Sequence, residues 1–559
     1  MNLKDFGFSI DYKIGAYKFR AETENEHFAL KISENSNENF LKLEIIPKQK
    51  IELLAVSLSY KYVYDEGAVV FTNGYQSWTT SKEHKKTDRQ YGLRGLCNLG
   101  AIKKIAGATG DYMFKNYAKV AGAFHSYTYG YIRSGMRVDL IGSLTDRTGW
   151  TIINFDMNHD RVRIEKDVEG LSPASAYTLF EIVRITGGYD EVFDKYFAAM
   201  EIAPPRISHM SGYTSWYNYF QKIDESIILR DLKGLSRVGD KADIFQIDDG
   251  YETLVGDWLT PNPEKFPRGL KPIVDDVHVL GYKAGLWLAP FSAEYKSQVL
   301  KDHPDWTIKN KKGKPIVAGI AWGGFYALDF YIPECAAYIK SCFDKVFDEW
   351  GFDMVKLDFL YGACMVPRNN KTRGQIMYEA VDFLRECCRD KLILGCGVPM
   401  APAFGKFELC RISCDAELSF KEKFYAKITN QEIISTKNAM NNTIFRRHLD
   451  GRAFVNDPDV FFLRDENAKY SWTQKEILAK INNMFGNILF VSDDIGTYDD
   501  KKLQLLLKTY KKSDAQIISA EYLNNNIIQI VFKQGDTKKL IFNTLTGEYS
   551  EKVLEAKEK

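Results

Sequence analysis

Met354-Val355-Lys356-Leu357-Asp358 is a short apolar run that ends on a carboxylate, and its reading decides the fold. It is too short for a helix and is flanked by long amphipathic stretches, which predicts a strand buried on both faces. Runs of the same kind recur at 212–216, 244–247, 284–289, 392–394, 411–413, 453–455 and 488–491. Eight buried strands separated by helical stretches within roughly 290 residues predict a (β/α)₈ barrel over residues 204–502. An open doubly wound sheet is the alternative, but no Gly-x-Gly-x-x-Gly turn favours a dinucleotide fold. Upstream, residues 1–203 show near-alternating segments such as 27–32 and 161–165 between Asn, Gly and Asp turns, the pattern of an antiparallel β-sandwich. Ala203-Pro204-Pro205 marks the boundary, because two prolines neither donate to a sheet ladder nor continue a helix. Residues 503–559 form a small C-terminal β domain, in which 527–532 and 540–542 flank the turn Gln534-Gly535-Asp536. No solenoid-type repeat or low-complexity tract interrupts the chain.

In such a barrel the chemistry sits where strands end at the C-terminal face. Strand two ends in Asp248-Asp249-Gly250, strand four in Lys356-Leu357-Asp358, strand five in Cys396, strand six in Cys414-Asp415 and strand eight in Ser492-Asp493-Asp494. One acid at a strand end is ordinarily a cap for the next helix, but acids at four of the eight ends together point to a site. Lys356 and Asp358 lie two apart and face the same way on a strand. A cation there lowers the carboxylate's pKa and keeps it ionised. Arg411 and Asp415 share strand parity, with Asp415 nearer the mouth. One ionised and one protonated carboxylate are the minimum for glycoside hydrolysis, and their separation sets whether configuration is retained or inverted. Read from the residues alone, the chain is a barrel enzyme acting through carboxylates.

Composition narrows the classes. The 559 residues are 45% hydrophobic and 14% aromatic, with nine Trp and thirty-two Tyr. That is ample for large cores and for rings on which sugars rest, although most such rings are core filler. Lys plus Arg (75) balances Asp plus Glu (74), and with no basic stripe or acidic tail neither nucleic acid nor membrane is expected as a partner. The expected partner is a small-molecule carbohydrate, and the oligomeric state is left open. The start, Met1-Asn2-Leu3-Lys4-Asp5-Phe6, lacks an apolar signal core, and a soluble cytoplasmic protein is the expectation. The nine Cys form no Cys-x-x-Cys pair and the eight His no His-Glu-x-x-His pattern, so neither a disulfide framework nor a metal or cofactor is expected.

Further motifs accompany these residues: Asn73-Gly74-Tyr75-Gln76-Ser77-Trp78, Ser215-Trp216-Tyr217, Gly256-Asp257-Trp258, Lys265-Phe266-Pro267, Gly285-Leu286-Trp287, His303-Pro304-Asp305-Trp306 and Asn456-Asp457-Pro458-Asp459. With Ile247-Asp248-Asp249-Gly250 and Val355-Lys356-Leu357-Asp358, and in this order along most of the chain, they resemble glycoside hydrolase family 36, the melibiase-type α-galactosidases, particularly the shorter bacterial members. The resemblance implies a retaining α-galactosidase with Asp358 as nucleophile and Asp415 as general acid/base. It also implies that Asp248 and Asp249 accept from the galactose O4 and O6 hydroxyls, supported by Lys356. Arg411 and Cys396 would lie near O2, Trp216 and Trp287 would line the pocket, and Trp78 would reach in from the N-terminal domain. Packing of Trp78 within its own sandwich is the plainer alternative. His303-Pro304-Asp305-Trp306 and Asn456-Asp457-Pro458-Asp459 read as turn chemistry around a buried anchor, and Ser492-Asp493-Asp494 as a barrel-floor or supporting feature.

The sequence departs from longer members of that family at three places. Leu357 replaces the Trp of Lys-Trp-Asp, Arg411-Ile412-Ser413-Cys414-Asp415 replaces a Trp-x-Ser-Asp segment, and Gly397-Val398-Pro399-Met400-Ala401-Pro402 replaces a glycine-rich run. These changes bear on leaving-group and 2-substituent preference. An α-N-acetylgalactosaminidase and a galactosyl-transferring synthase are therefore the rival activities. A sugar-binding protein without turnover is disfavoured by the presence of both carboxylates.

Overall fold

The computed structural model describes residues 5–35, 39–422 and 431–554; residues 1–4 and 555–559, which fall within the outer domains expected from the sequence, lie outside the described residues. At its centre eight strands form one parallel sheet: Met210–Thr214, Ile244–Ile247, Lys283–Leu288, Met354–Leu357, Leu392–Gly395, Leu409–Arg411, Val455–Asp457 and Ile488–Val491. Each neighbours the next, and the first pairs with the eighth. The seam between the seventh and eighth is bridged by Asn487 N–H donating to the Asn456 carbonyl at 3.1 Å. The second, fourth, fifth and eighth strands are buried at every position, as a sheet covered on both faces requires.

Several strand limits differ from those read in the sequence. The first strand stops at Thr214, and Trp216 opens a short helix, Trp216–Tyr219. The sixth is Leu409–Arg411 rather than 411–413, and the seventh is Val455–Asp457 rather than 453–455. Both stretches are apolar beyond their strands, so hydrophobicity alone misplaces the ends. Arg411 therefore closes its strand, and Asp415 stands in the loop beyond it.

The intervening helices start on residues that satisfy their first N–H groups. Thr372 and Ser471 make reciprocal capping boxes with Gln375 and Gln474, and Asp224 and Asp499 accept from Ile227 N–H and Lys502 N–H.

Before the barrel, a six-stranded and a seven-stranded antiparallel sheet enclose a core that includes Ile10, Leu43, Leu58, Val70, Ile153 and Phe180. After it, four antiparallel strands from Gln516 to Val553 include the hairpin Ile527–Gln534/Asp536–Asn543, turning at Gly535 with φ 69°. A second, larger apolar cluster runs without a break from Phe71 and Phe193 through the barrel strands to Ile530 and Phe542. His448 is one joint of it. Its ring stacks on Phe193 at 3.9 Å and bonds Tyr129 Oη at 2.7 Å and Tyr189 Oη at 2.8 Å.

Arg446 is another joint. It is wholly buried, and its guanidinium donates to Asn73 Oδ1 and to the carbonyls of Gln76, Ser77 and Ile412 at 2.6–3.2 Å. The loop 73–78 is thereby pinned to the barrel mouth by main-chain acceptors rather than by a carboxylate.

Candidate active site

The strand ends converge on a cleft of about 490 Å³ at the barrel mouth. Eight of the residues singled out in the sequence line it: Trp78, Trp216, Asp248, Asp249, Trp287, Lys356, Asp358 and Asp415. Cys396 and Arg411 stand behind its wall.

Asp248 is the most tightly held carboxylate. Its Oδ2 accepts from Lys356 Nζ at 2.8 Å, Gln246 Nε2 at 2.8 Å and Thr214 Oγ1 at 3.2 Å, while Oδ1 accepts from Asp249 N–H at 3.0 Å. Lys356 thus spends its short contact on Asp248, not on Asp358 as the strand spacing suggested, because Asp248, at the end of the second strand, comes within its reach although the third strand lies between them. Burial disfavours the Lys356 ammonium, but the charges of Asp248 and, behind it, Asp358 together outweigh it and hold the pKa above the usual lysine range.

Asp358 follows the fourth strand. Its Oδ2 accepts from Trp287 Nε1 at 3.1 Å and its Oδ1 from Phe359 N–H at 2.8 Å. Burial raises its pKa, and Lys356 together with hydrogen bonds from Cys396 and Trp287 opposes the rise. The sequence expectation of a lowered pKa is corrected here, since desolvation of a buried carboxylate exceeds the attraction of a cation already paired elsewhere. Phe359, directly after it, has φ 54°, and the cleft residue Trp322 also has φ 54°. Left-handed backbone at non-glycine residues costs on the order of 1–3 kcal/mol each and persists where the surroundings enforce it. At Gly397, with φ 55°, a Cβ would lie 2.9 Å from the Trp78 indole and 3.0 Å from Phe359 N, so glycine is what admits both.

Asp415 is the most open of these acids, with its side chain 35% exposed. Its Oδ1 accepts from Arg411 Nη1 at 3.0 Å, and among the described residues no side chain or N–H donates to Oδ2. Arg411 is itself clamped by Asp457 at 3.1 Å and Asp459 at 2.7 Å. Asp459, with φ 79°, also accepts from Tyr217 Oη at 2.5 Å and Ala416 N–H at 2.7 Å. Asn456-Asp457-Pro458-Asp459 therefore positions the arginine behind Asp415, a role that turn chemistry did not convey. Arg411 and Asp415 meet as an i, i+4 ion pair across a loop, not by strand parity.

Trp78 is half-buried against the barrel rather than within the sandwich. Its Nε1–H donates to Cys396 Sγ at 3.3 Å, and its ring meets Phe359 and Tyr361 edge-on at 5.2 and 5.8 Å. Asp493 stands at the mouth end of the eighth strand, not on the barrel floor. It pairs with Arg464 and accepts from the N–H groups of Leu463 and Arg464, which fixes the loop after the seventh strand. His303 and Trp306 stack at 3.8 Å and lie outside the cleft lining.

Three residues of the site escaped the sequence reading. Trp322 lines the cleft and donates from Nε1 to Asp249 Oδ2 at 2.8 Å. Glu252 is buried behind Asp249 and accepts from Gly250 N–H at 3.2 Å, and burial and then the Asp249 charge push its carboxyl well above the usual range. Its position two residues after Asp-Asp-Gly was the available signal. Glu432 lines the cleft beside Trp78, accepting from Thr79 Oγ1 and Tyr112 Oη, each at 2.7 Å, and burial pushes its pKa up to about 7. Nothing local marks Glu432, because its partners lie more than 300 residues away.

The β-sandwich thus adjoins a (β/α)₈ barrel whose mouth gathers carboxylates, a lysine and indole rings. Residues 234–379 match the Melibiase family model. A probable alpha-galactosidase C of Aspergillus flavus is 27% identical over 219 residues, which are 35% of this chain and 27% of that one. A relative from Flavonifractor plautii named A type blood alpha-D-galactosamine galactosaminidase is 28% identical over 216 residues, 35% of this chain and 20% of that one. The chain thus spans about a quarter of the length of these curated relatives. Among solved structures, the alpha-galactosidase of Thermus thermophilus superposes with a TM-score of 0.70 at 21% identity, covering 90% of this chain and 98% of that one. A GH36 alpha-galactosidase of Geobacillus stearothermophilus gives 0.62 at 13% identity over 92% and 72%. The chain is thus similar to the Melibiase family over residues 234–379 and to solved alpha-galactosidases in fold.

Proposed function

We propose that the chain is a retaining, exo-acting α-galactosidase that removes terminal α-galactosyl residues from small oligosaccharides. The observation that carries this reading is the one cleft in which Asp358 and Asp415 stand with the Asp248–Lys356 pair, Asp249 and four indoles. Asp358 is the nucleophile. Its carboxylate forms a bond to the anomeric carbon as the bond to the leaving oxygen breaks, and Asp415 gives that oxygen its proton. Water then hydrolyses the galactosyl ester, with Asp415 taking the proton back. Among the described residues the Asp415 side chain accepts from Arg411 alone, through Oδ1, which leaves Oδ2 for this proton. Asp249 and Asp248 accept from O4 and O6. Glucose, with an equatorial O4, would leave a buried acceptor unpaired at a cost of about 1–3 kcal/mol. Trp78, Trp216 and Trp287 wall the sugar, and Cys396 and Arg411 act near O2 through Trp78 and Asp415, since neither lines the cleft. We also propose the division into domains 1–203, 204–502 and 503–559. A cytoplasmic location fits nine free cysteines, eight of them buried. Among the described residues, no helix is long and apolar enough to cross a membrane.

The galactosaminidase among the relatives favours a second reading, in which the 2-substituent is an acetamido group. Initial rates on aryl α-galactoside, α-glucoside and α-N-acetylgalactosaminide separate the two, with the α-galactoside expected fastest. NMR of the first-formed sugar is expected to show the α anomer. A β anomer as first product would refute the double displacement, and absence of turnover on all three would refute the activity.

A further inference from the structure

We propose that the leaving-group side of the cleft is built for an apolar aglycone, so that among α-galactosides it favours those of alkyl and aryl alcohols. The proposal rests on the reading of Asp415 as the general acid. That residue fixes where the aglycone lies, because the group that protonates the departing oxygen must stand within hydrogen-bond reach of it. As the bond from the anomeric carbon to that oxygen breaks and the oxygen takes the Asp415 proton, the alcohol leaves past the side chains around Asp415.

Those side chains are apolar. Ser435 N–H donates to the Asp415 carbonyl at 3.2 Å, which sets Ile434 beside the acid, and Ile434 lines the cleft with 47% exposure. Trp216 lines the cleft as well. The next residue, Tyr217, donates to Asp459, which pairs with Arg411 behind Asp415, so Trp216 is held on the acid's side. Phe220, 45% exposed, meets the Trp216 ring edge-on at 5.2 Å and adds to that surface. Ile320, 71% exposed, is a further apolar member of the lining.

Partners for the hydroxyls of a second sugar are few. Beyond the four aspartates and Lys356, the hydroxyl and carboxyl side chains of the lining among the described residues are Thr109, Tyr361 and Glu432. Tyr361 Oη donates to the Ala318 carbonyl at 2.8 Å, and Thr79 and Tyr112 engage both oxygens of Glu432. A second hexose would therefore lose hydration without regaining most of its hydrogen bonds. An alkyl or aryl group gains by covering Ile434 and Trp216. Isoleucines exposed by chance on a solvated rim are the plain alternative, and they predict no dependence of rate on the length of an alkyl aglycone.

The test compares methyl α-galactoside, octyl α-galactoside below its micelle concentration, and melibiose. All three release an unactivated alcohol, so differences in kcat/KM report contacts to the aglycone. The octyl substrate is expected to exceed the methyl one by about tenfold or more, and to exceed melibiose. The octyl-to-methyl ratio should fall about fivefold in Ile434→Asn and survive in Ile434→Leu, with the melting temperature unchanged in both. Equal rates for octyl and methyl substrates, melibiose outpacing the octyl substrate, or an unchanged ratio in Ile434→Asn would each overturn the proposal. Turnover of methyl α-galactoside without the octyl preference would overturn the aglycone assignment and leave the galactosidase reading standing. Absence of turnover on all three would overturn both.

Discussion

Two acids at the cleft show how environment divides the work of one side-chain type. Among the described residues the Asp415 side chain bonds only Arg411, and it is 35% exposed, so its removal should act through proton delivery and leave the fold alone. Asp415→Ala is expected to slow substrates with poor leaving groups by roughly 10²–10⁴ more than an activated aryl galactoside, because only the former need a proton on the departing oxygen. Equal losses in the glycosylation step on both substrates would assign the acid elsewhere. Glu432 behaves differently. Its folded pKa of about 7 exceeds the ordinary glutamate value, so between pH 4.5 and about 7 the unfolded chain is ionised where the folded chain is still protonated. Stability contributed by this residue is therefore complete at low pH and is lost as pH rises through that window. Glu432→Gln removes the titration. The difference in unfolding free energy between variant and parent should shift in the variant's favour from pH 5 to pH 8. A constant difference, read by chemical denaturation at each pH, would contradict the raised pKa.

At the scale of elements, the loop 73–78 matters more than its length suggests. It carries Trp78 to the barrel and is held there by one cation, Arg446, whose pKa burial lowers to about 10 and whose partners are carbonyl and amide oxygens. Arg446→Met preserves much of the volume but strands these acceptors, each costing about 1–3 kcal/mol when buried unpaired. A loss of about 3 kcal/mol or more is expected in chemical denaturation. Under conditions where the variant stays folded, the KM for an aryl galactoside should rise more than kcat falls, since Trp78 loses its anchor while Asp358 and Asp415 keep theirs. An unchanged denaturation midpoint would show the loop to be held by its remaining contacts.

For the whole molecule, the continuous apolar cluster implies that sandwich, barrel and C-terminal sheet do not unfold separately. His448 is packed between Phe193 and Tyr129, and Phe445 stacks on Tyr522 at 5.5 Å, so losing one domain exposes the core of another. Differential scanning calorimetry should therefore give one transition, although chains of this size commonly show several. Two resolved transitions would mark the domains as independent folding units.

The barrel was legible in the sequence because a parallel strand buried on both faces is a continuous apolar run, as 244–247, 354–357 and 488–491 illustrate. The acids that end such runs were legible for the same reason, since Asp248, Asp249 and Asp358 follow directly on their strands. The limits of the sixth and seventh strands were not, because apolar residues continue past the last ladder bond and only pairing decides where the strand stops. Partnerships across the barrel were equally hidden. Lys356 reaches Asp248 from 108 residues away, and Asp457 and Asp459 grip Arg411 from the next strand. Trp78 left its own sandwich for the barrel mouth, a choice its local sequence left open between two environments. Side-chain periodicity is a property of the chain, and the sequence by itself determined the barrel and the residues at its strand ends. Charge pairing and desolvation depend on what the fold brings near, so the tertiary structure alone decided which cation serves which carboxylate and which acids keep a proton.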